Sequence, residues 1–117
     1  MKHHAIATKI CLDCGSHRVV TFGSRTEARY YFRELLPAEQ EGRIRGIEIH
    51  PVFKLPGGVK VVADFSYEQY EQMGLADAWI PTVVDVKGRG KPLTQSFRRN
   101  QKLVRAIHGI VIEVVYR

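Results

Sequence analysis

The chain has 117 residues, of which 44% are hydrophobic and 26% are charged, and these values are typical of one folded domain, not of a disordered chain. No apolar run approaches the roughly 20 residues of a membrane-spanning helix, and no apolar signal segment opens the sequence, so we expect a cytoplasmic protein. The formal net charge of +6 favours an anionic partner such as nucleic acid or a membrane surface.

The two cysteines, Cys11 and Cys14, form one CxxC motif. A structural zinc site normally takes four ligands from two such pairs. The second pair is missing here, although His3, His4 and His17 offer further ligands. The alternative is a pair of thiols that flank the turn of a hairpin, and we therefore expect no structural zinc.

The first third of the chain predicts a hairpin followed by a helix. Two short apolar runs predict paired strands over residues 5–12 and 18–22. Ser24 is a natural helix N-cap with Glu27 three residues later, and apolar side chains then recur at helical spacing. Pro37 is expected to break this helix or end it early.

The middle of the chain predicts three strands. The first contains Gly46, expected at a bulge, and Pro51, expected at an edge or a bend. After the returning strand, residues 68–78 are expected to leave the sheet as an excursion. One short helix that begins at Ser66 is one form that it could take. The run over residues 80–86 is apolar enough for a central strand.

The last part predicts a second helix, capped by Thr94, and a final strand. Apolar side chains at helical spacing are expected on the core side: Phe97, Leu103, Val104 and Ile107. Basic side chains are expected on the opposite side: Arg98, Lys102 and Arg105, with Arg99 beside them. The order of elements is therefore ββ–α–βββ–α–β.

Acidic and basic residues stand where these elements end. Asp85 and Lys87 are two apart on one strand, so they point to the same face. Asp64 follows an apolar run on the preceding strand, and it meets Asp85 if the two strands are neighbours. Such carboxylates suit Mg²⁺ or Mn²⁺, with the carbonyl of Val86 as a third oxygen and Glu27 as a direct or water-mediated ligand. Lys87 would orient or help to deprotonate an attacking water.

Each of these residues also has a purely structural interpretation. Asp85 and Lys87 are able to form a salt bridge on a solvated strand, and Glu27 fits a capping box with Ser24. Asp64 is able simply to end a strand. The functional interpretation is favoured because all four residues occur together at the ends of elements in a basic chain.

The combination of motifs resembles the PD-(D/E)xK nuclease superfamily, and more narrowly a family of small phage-encoded endonucleases formerly known as a domain of unknown function. The similar stretches are FGSRTEARYYFREL, GRIRGIEIHPVFKL, VVADFSY, VVDVKG and FRRNQKLV, and the resemblance as a whole spans residues 10–115. The resemblance implies an α/β (α+β) fold with a restriction-endonuclease-like core in the order αβββαβ. It implies a single domain over residues 1–117, with an N-terminal β-hairpin (1–22) and a core (23–117) whose mixed central sheet is flanked by two helices.

The resemblance also implies roles for individual residues. Asp64 and Asp85 would bind metal, Lys87 would be the catalytic lysine and Glu27 the helix-borne acid, while Lys102 and Gln101 would lend polar groups from the second helix. This chain departs from the pattern at Ala63, where the family has its proline, and at Asp85, where glutamate is more usual. Aromatic side chains beside the excursion are expected either to pack or to shape a substrate loop or dimer contact: Tyr67, Tyr70 and Trp79.

The expected reaction is metal-dependent hydrolysis of DNA phosphodiester bonds, with Mg²⁺ or Mn²⁺ as cofactor. DNA would be held by basic and polar residues of the second helix and of the glycine loop before it: Arg89, Lys91, Arg98, Arg99, Gln101, Lys102 and Arg105. The size of the chain favours recognition of branched or structured DNA, as by a Holliday-junction resolvase in phage recombination, and a homodimer. The alternatives are a non-catalytic DNA-binding module and a zinc-dependent adaptor.

Overall fold

A computed structural model describes residues 8–13 and 18–117 of the chain. In chain order the elements are β1 (Thr8–Asp13), β2 (Arg18–Phe22), α1 (Arg25–Tyr30), a π-helical turn (Tyr31–Leu35), α2 (Leu36–Gln40), β3 (Ile44–Ile49), β4 (Val52–Leu55), a 3-10 turn (Pro56–Gly58), β5 (Val59–Val62), β6 (Phe65–Met73), β7 (Ala76–Lys87), α3 (Gln95–His108) and β8 (Ile112–Tyr116).

The central sheet has four strands in the order β3–β6–β7–β8. β3, β6 and β7 are antiparallel, whereas β8 runs parallel to β7 after the crossover through α3. The expected α+β class with a mixed sheet is therefore confirmed, as is the inner position of β7. The pairing of β1 with β2 confirms the leading hairpin over its described residues.

The two faces of the sheet carry different helices. Val84 and Val86 pack with the α1–α2 side, in a core around Phe22 and Phe65. Val83 packs with the α3 side, in a second core around Val104. Because strand side chains alternate, Asp85 and Lys87 follow Val83 and point to the α3 side. Among the described residues, no helix combines the length and apolarity that a membrane crossing requires.

The α-helix is interrupted before Pro37 but does not end there, so only the first of the two predicted alternatives is found. The chain inserts one π-helical turn, in which the N–H of Leu36 bonds to the carbonyl of Tyr31, and continues as α2 to Gln40. Pro37 then lies in the first turn of α2, where a missing N–H breaks no bond. Ser24 caps the helix as expected, accepting a 3.1 Å hydrogen bond from the N–H of Glu27.

Two of the expected strands each bend into two. β3 ends at Ile49. His50 follows with a φ of 58°, in the left-handed region, and Pro51 then leads the chain in a new direction into β4. The chain bends again between β5 and β6, opposite the first bend. The two corners are joined by hydrogen bonds from His50 N–H to the Asp64 carbonyl (2.9 Å) and from Ala63 N–H to the Pro51 carbonyl (3.0 Å). Pro51 thus marks a bend, as predicted, and the Gly46 bulge is confirmed by a register shift in β3.

The expected helical excursion over residues 68–78 is wrong. β6 and β7 pair continuously to Met73 and Ala76, so the segment is a long antiparallel arm. Alternating polar and aromatic residues suit such a strand pair, which exposes both faces. On the arm, the Tyr70 and Trp79 rings lie 5.5 Å apart, and the Arg45 guanidinium lies 4.1 Å from the Trp79 ring.

The expected apolar face of the second helix is only partly correct. Val104 is fully buried and Phe97 packs beside it against the sheet. Leu103 and Ile107 are 41% and 50% exposed, so the buried stripe is narrower than the sequence pattern indicates. Gln101 occupies the same stripe, where its amide donates a 2.7 Å hydrogen bond to the Ile112 carbonyl.

Candidate metal centre

Asp64 and Asp85 are interlocked where β6 begins beside β7. The backbone N–H of Asp64 donates to Oδ1 of Asp85 at 2.8 Å, and the N–H of Val86 donates to Oδ2 of Asp64 at 2.7 Å. Each bond occupies one oxygen of its carboxylate. The N–H and C=O of a strand residue point to the same edge, so the Val86 carbonyl points to the Asp64 side. The bend at Ala63–Asp64 therefore brings the two acids together.

Lys87 extends from the same face of β7 as Asp85. Its ammonium nitrogen lies 4.7 Å from the centre of the Phe97 ring on α3, within cation–π range. Its charge lowers the pKa of both Asp64 and Asp85, although other causes outweigh it. The Lys87 ammonium thus contacts the helix and lies near enough to the two acids to influence their ionisation.

Glu27 completes the acidic group from the first turn of α1. It is 5% exposed, and its backbone N–H donates to the Ser24 hydroxyl at 3.1 Å. Oε2 of Glu27 lies 2.6 Å from Nε2 of His50. Gly23 leaves the space for this carboxylate, since a Cβ there would lie 3.2 Å from Oε1. Glu27 therefore takes part in the cap through its backbone, while its carboxylate contacts His50.

Burial makes the carboxyls of Asp64 and Asp85 hard to ionise. It is the main cause that raises the pKa of Asp64 to about 6; the N–H of Val86 opposes this rise, and the charge and hydrogen bond of Glu27 add to it. Burial likewise raises the pKa of Asp85 to about 6, and the charge of Asp64 adds to the effect. Three carboxyls crowded together with one lysine favour a cation, which relieves their repulsion.

One donor atom from each of Glu27, His50 and Asp64 lies within 4.8 Å of the others. These three side chains come from α1, from the β3–β4 corner and from the β5–β6 corner, with Asp85 bonded directly to Asp64. The chemistry of this donor set, two carboxylates and an imidazole, suits a divalent cation of the first transition row. Our sequence prediction included Glu27, Asp64 and Asp85 but missed His50.

The expected DNA-binding residues are distributed over more than one surface. Arg98, Arg99, Lys102 and Arg105 are exposed along α3. Lys102 and Arg105 line one shallow pocket with Gln101 and Val111. The amide of Gln101 donates to the Ile112 carbonyl at 2.7 Å, within the fold. Lys91 is exposed after the glycine loop, where its N–H bonds to the Gly88 carbonyl at 3.2 Å.

Arg89 lies with α1, not with the basic face of α3. It lines a pocket whose other charged residues are Arg29, Arg33, Arg117 and Glu34. Arg117 is paired with Glu34 through a 2.8 Å hydrogen bond, which leaves the three other arginines without a carboxylate in that pocket. The sequence spacing of Arg29 and Arg33, one helical turn apart, is the signal that would have indicated this arginine pocket.

The cysteine motif lies outside these observations, because Cys14, His3, His4 and His17 fall outside the described residues, as does the side chain of Cys11.

Comparison with models of known protein families found no match, and searches of curated proteins and of solved structures also found none.

Proposed function

We propose that this protein is a divalent-metal-dependent endonuclease that hydrolyses DNA phosphodiester bonds, with the restriction-endonuclease-like core that its sequence resembles. The observation that carries the proposal is the meeting of Asp64, Asp85 and Glu27 beside Lys87. The order of elements supports it as well, because one helix precedes three antiparallel strands and a second helix connects to a parallel fourth strand.

The cation, Mg²⁺ or Mn²⁺, would be held by Asp64 and Asp85, with the Val86 carbonyl and Glu27 as further oxygen ligands. When bound, such an ion polarises a phosphoryl oxygen and makes water a better nucleophile. The chain itself supplies the Lys87 ammonium, which orients the water or holds a phosphate oxygen. The Phe97 ring, 4.7 Å from that ammonium, limits the positions that it adopts.

Exposed arginines and lysines would hold the DNA backbone. They include the α3 residues Arg98, Arg99, Lys102 and Arg105, with Arg89 and Lys91 in the loop. Such contacts position the duplex without reading its bases. We therefore propose recognition of branched or structured DNA, of the Holliday-junction type, by a homodimer acting in phage replication or recombination within the host cytoplasm.

A non-catalytic DNA-binding module is the second candidate. The basic surfaces alone would suffice for DNA binding, since the net charge is +6 and several arginines line one pocket. A binding module, however, has no use for buried acids whose burial raises their pKa, nor for a lysine held beside them. The zinc-dependent adaptor would require zinc at Cys11 and Cys14, which elemental analysis of the purified protein measures directly.

The test is cleavage of labelled linear duplex, single strand, flap and four-way junction in Mg²⁺ or Mn²⁺, with an EDTA control. Wild type is compared with Lys87→Ala and with Lys60→Ala, which removes an exposed lysine on β5. We expect metal-dependent cutting by wild type and Lys60→Ala, and at least a hundredfold slower cutting by Lys87→Ala (~10²-fold for a proton-transfer group). Salt-sensitive DNA binding without any cutting would favour the binding module, and equal cutting by all three would exclude Lys87.

A further inference from the structure

His50 carries three features that the proposed nuclease chemistry does not use. Its backbone adopts a φ of 58°, in the left-handed region that few non-glycine residues other than asparagine, aspartate and histidine adopt. Its N–H is bonded to the carbonyl of Asp64 at 2.9 Å, which ties its position to that of the acid. Its side chain is turned to the carboxylate of Glu27, with Nε2 and Oε2 2.6 Å apart. His50 is therefore tied to the acidic cluster twice, through its backbone to Asp64 and through its imidazole to Glu27.

A simple ion pair with Glu27 accounts for only part of this arrangement. It explains the 2.6 Å contact, but not why Asp64 also lies within 4.8 Å of both donor atoms. The Glu27 side chain is 6% exposed while that of His50 is 35% exposed, so the imidazole lies at the open side of the cluster. An ion entering from solvent would meet His50 first and Glu27 behind it.

We propose that His50 is a metal ligand of this centre, together with Glu27 and Asp64, and that the site therefore prefers Mn²⁺ or a similar first-row transition cation over Mg²⁺. Donor atoms that share one such ion lie about 2.0 to 2.2 Å from it, so three atoms within 4.8 Å of one another reach it after small side-chain movements. Imidazole nitrogen binds transition cations, whereas Mg²⁺ is held by oxygen ligands and keeps several waters.

This inference rests on the proposed function only for the presence of a divalent ion at the acidic cluster. It adds a nitrogen ligand from a corner of the sheet, which the resemblance does not include. It also gives Asp85 a different role, because Oδ1 of Asp85 accepts from the backbone N–H of Asp64 and would hold the backbone of that ligand residue in place. Metal binding is measured without DNA, so the two proposals are tested separately.

The experiment uses the full-length protein with both cysteines replaced by serine, so that Cys11 and Cys14 do not bind the added metal. Mn²⁺ is titrated and free ion is measured by electron paramagnetic resonance, and the bound ion is examined by electron spin echo for ¹⁴N modulation. His50→Gly removes the imidazole and suits the positive φ. His108→Ala is the matched control, since that histidine is exposed and bonds to the Lys54 carbonyl.

We expect ¹⁴N modulation from the bound Mn²⁺ in wild type and His108→Ala, and none in His50→Gly. The Mn²⁺ dissociation constant should rise at least tenfold (~10-fold or more when a ligand is removed) in His50→Gly, while that for Mg²⁺ changes less than about threefold. Bound Mn²⁺ without ¹⁴N modulation in wild type, or no Mn²⁺ binding at all, would overturn the inference whatever the variants do. Modulation without any DNA cleavage would keep the inference and reject the nuclease.

Discussion

Asp64 and Asp85 are joined by one hydrogen bond, from the backbone N–H of Asp64 to Oδ1 of Asp85, and Oδ2 of Asp64 accepts a second hydrogen bond from the N–H of Val86. Both carboxylates are consequently fixed by the backbone of two strands and do not depend on flexible partners. The same bonds keep the acids close together in a buried place, where like charges are costly. The geometry that suits a cation should therefore weaken the metal-free fold.

The first prediction concerns the pH dependence of stability. The pKa of Asp85 is about 6 in the folded protein, against an ordinary value of 3.8. The folded state thus keeps a proton that the unfolded state loses in this interval. The stabilising effect is complete below the ordinary pKa and is lost as pH rises through about 6. Without metal, we expect a lower Tm at pH 8 than at pH 5.

Asp85→Asn tests this prediction, because asparagine keeps an oxygen that can accept from the N–H of Asp64 while removing the charge. We expect the variant to be more stable than wild type at pH 8 in EDTA, on the order of 1–3 kcal/mol, and to bind metal more weakly. Denaturant unfolding at pH 5 and pH 8 measures the effect. A variant that is less stable at both values would show that the ionised carboxylate stabilises the fold.

The second prediction concerns Gly23. A Cβ at this position would lie 3.2 Å from Oε1 of Glu27, so Gly23→Ala should displace the carboxylate by a few tenths of an ångström. We expect a several-fold weaker Mn²⁺ affinity with a stability cost below about 1 kcal/mol. Gly88→Ala is the control, because its Cβ would meet only the flexible Lys91 side chain at 3.6 Å. Unchanged Mn²⁺ affinity in Gly23→Ala would place Glu27 outside the ion's ligands.

The third prediction concerns the two basic surfaces. If both the arginine pocket and the basic side of α3 contact DNA, the double variants Arg29→Ala/Arg33→Ala and Arg98→Ala/Lys102→Ala should each weaken binding. For every phosphate that a variant no longer neutralises, the slope of log K against log salt should become shallower by about 0.9. Lys54→Ala/Lys60→Ala, on the β4–β5 hairpin, should leave the slope unchanged. Fluorescence anisotropy over a salt series measures all three, and an effect confined to one pair identifies the surface that DNA uses.

The sequence predicted much of the sheet and of the acidic cluster because those features have a short-range signal. Asp85 and Lys87 share a face by strand alternation alone, and the apolar run before them identifies an inner strand. His50 was missed because its place depends on a bend, and the sequence marks that bend only by Pro51. The β6–β7 arm was missed because its alternating polar residues bury little, so periodicity does not separate it from a surface helix.

The last prediction concerns the second helix, where periodicity placed Leu103 and Val104 on the same apolar side. Val104 is fully buried and Leu103 is 41% exposed, so neighbouring residues of similar hydrophobicity should differ sharply. Val104→Ala should cost on the order of 2 kcal/mol through reduced burial and a cavity, whereas Leu103→Ala should cost less than about 1 kcal/mol. Denaturant unfolding of both variants measures the difference. Equal costs would mean that Leu103 is covered in solution. A second copy of this chain that packs on α3 would be the simplest explanation, and sedimentation of the wild type would then detect a dimer.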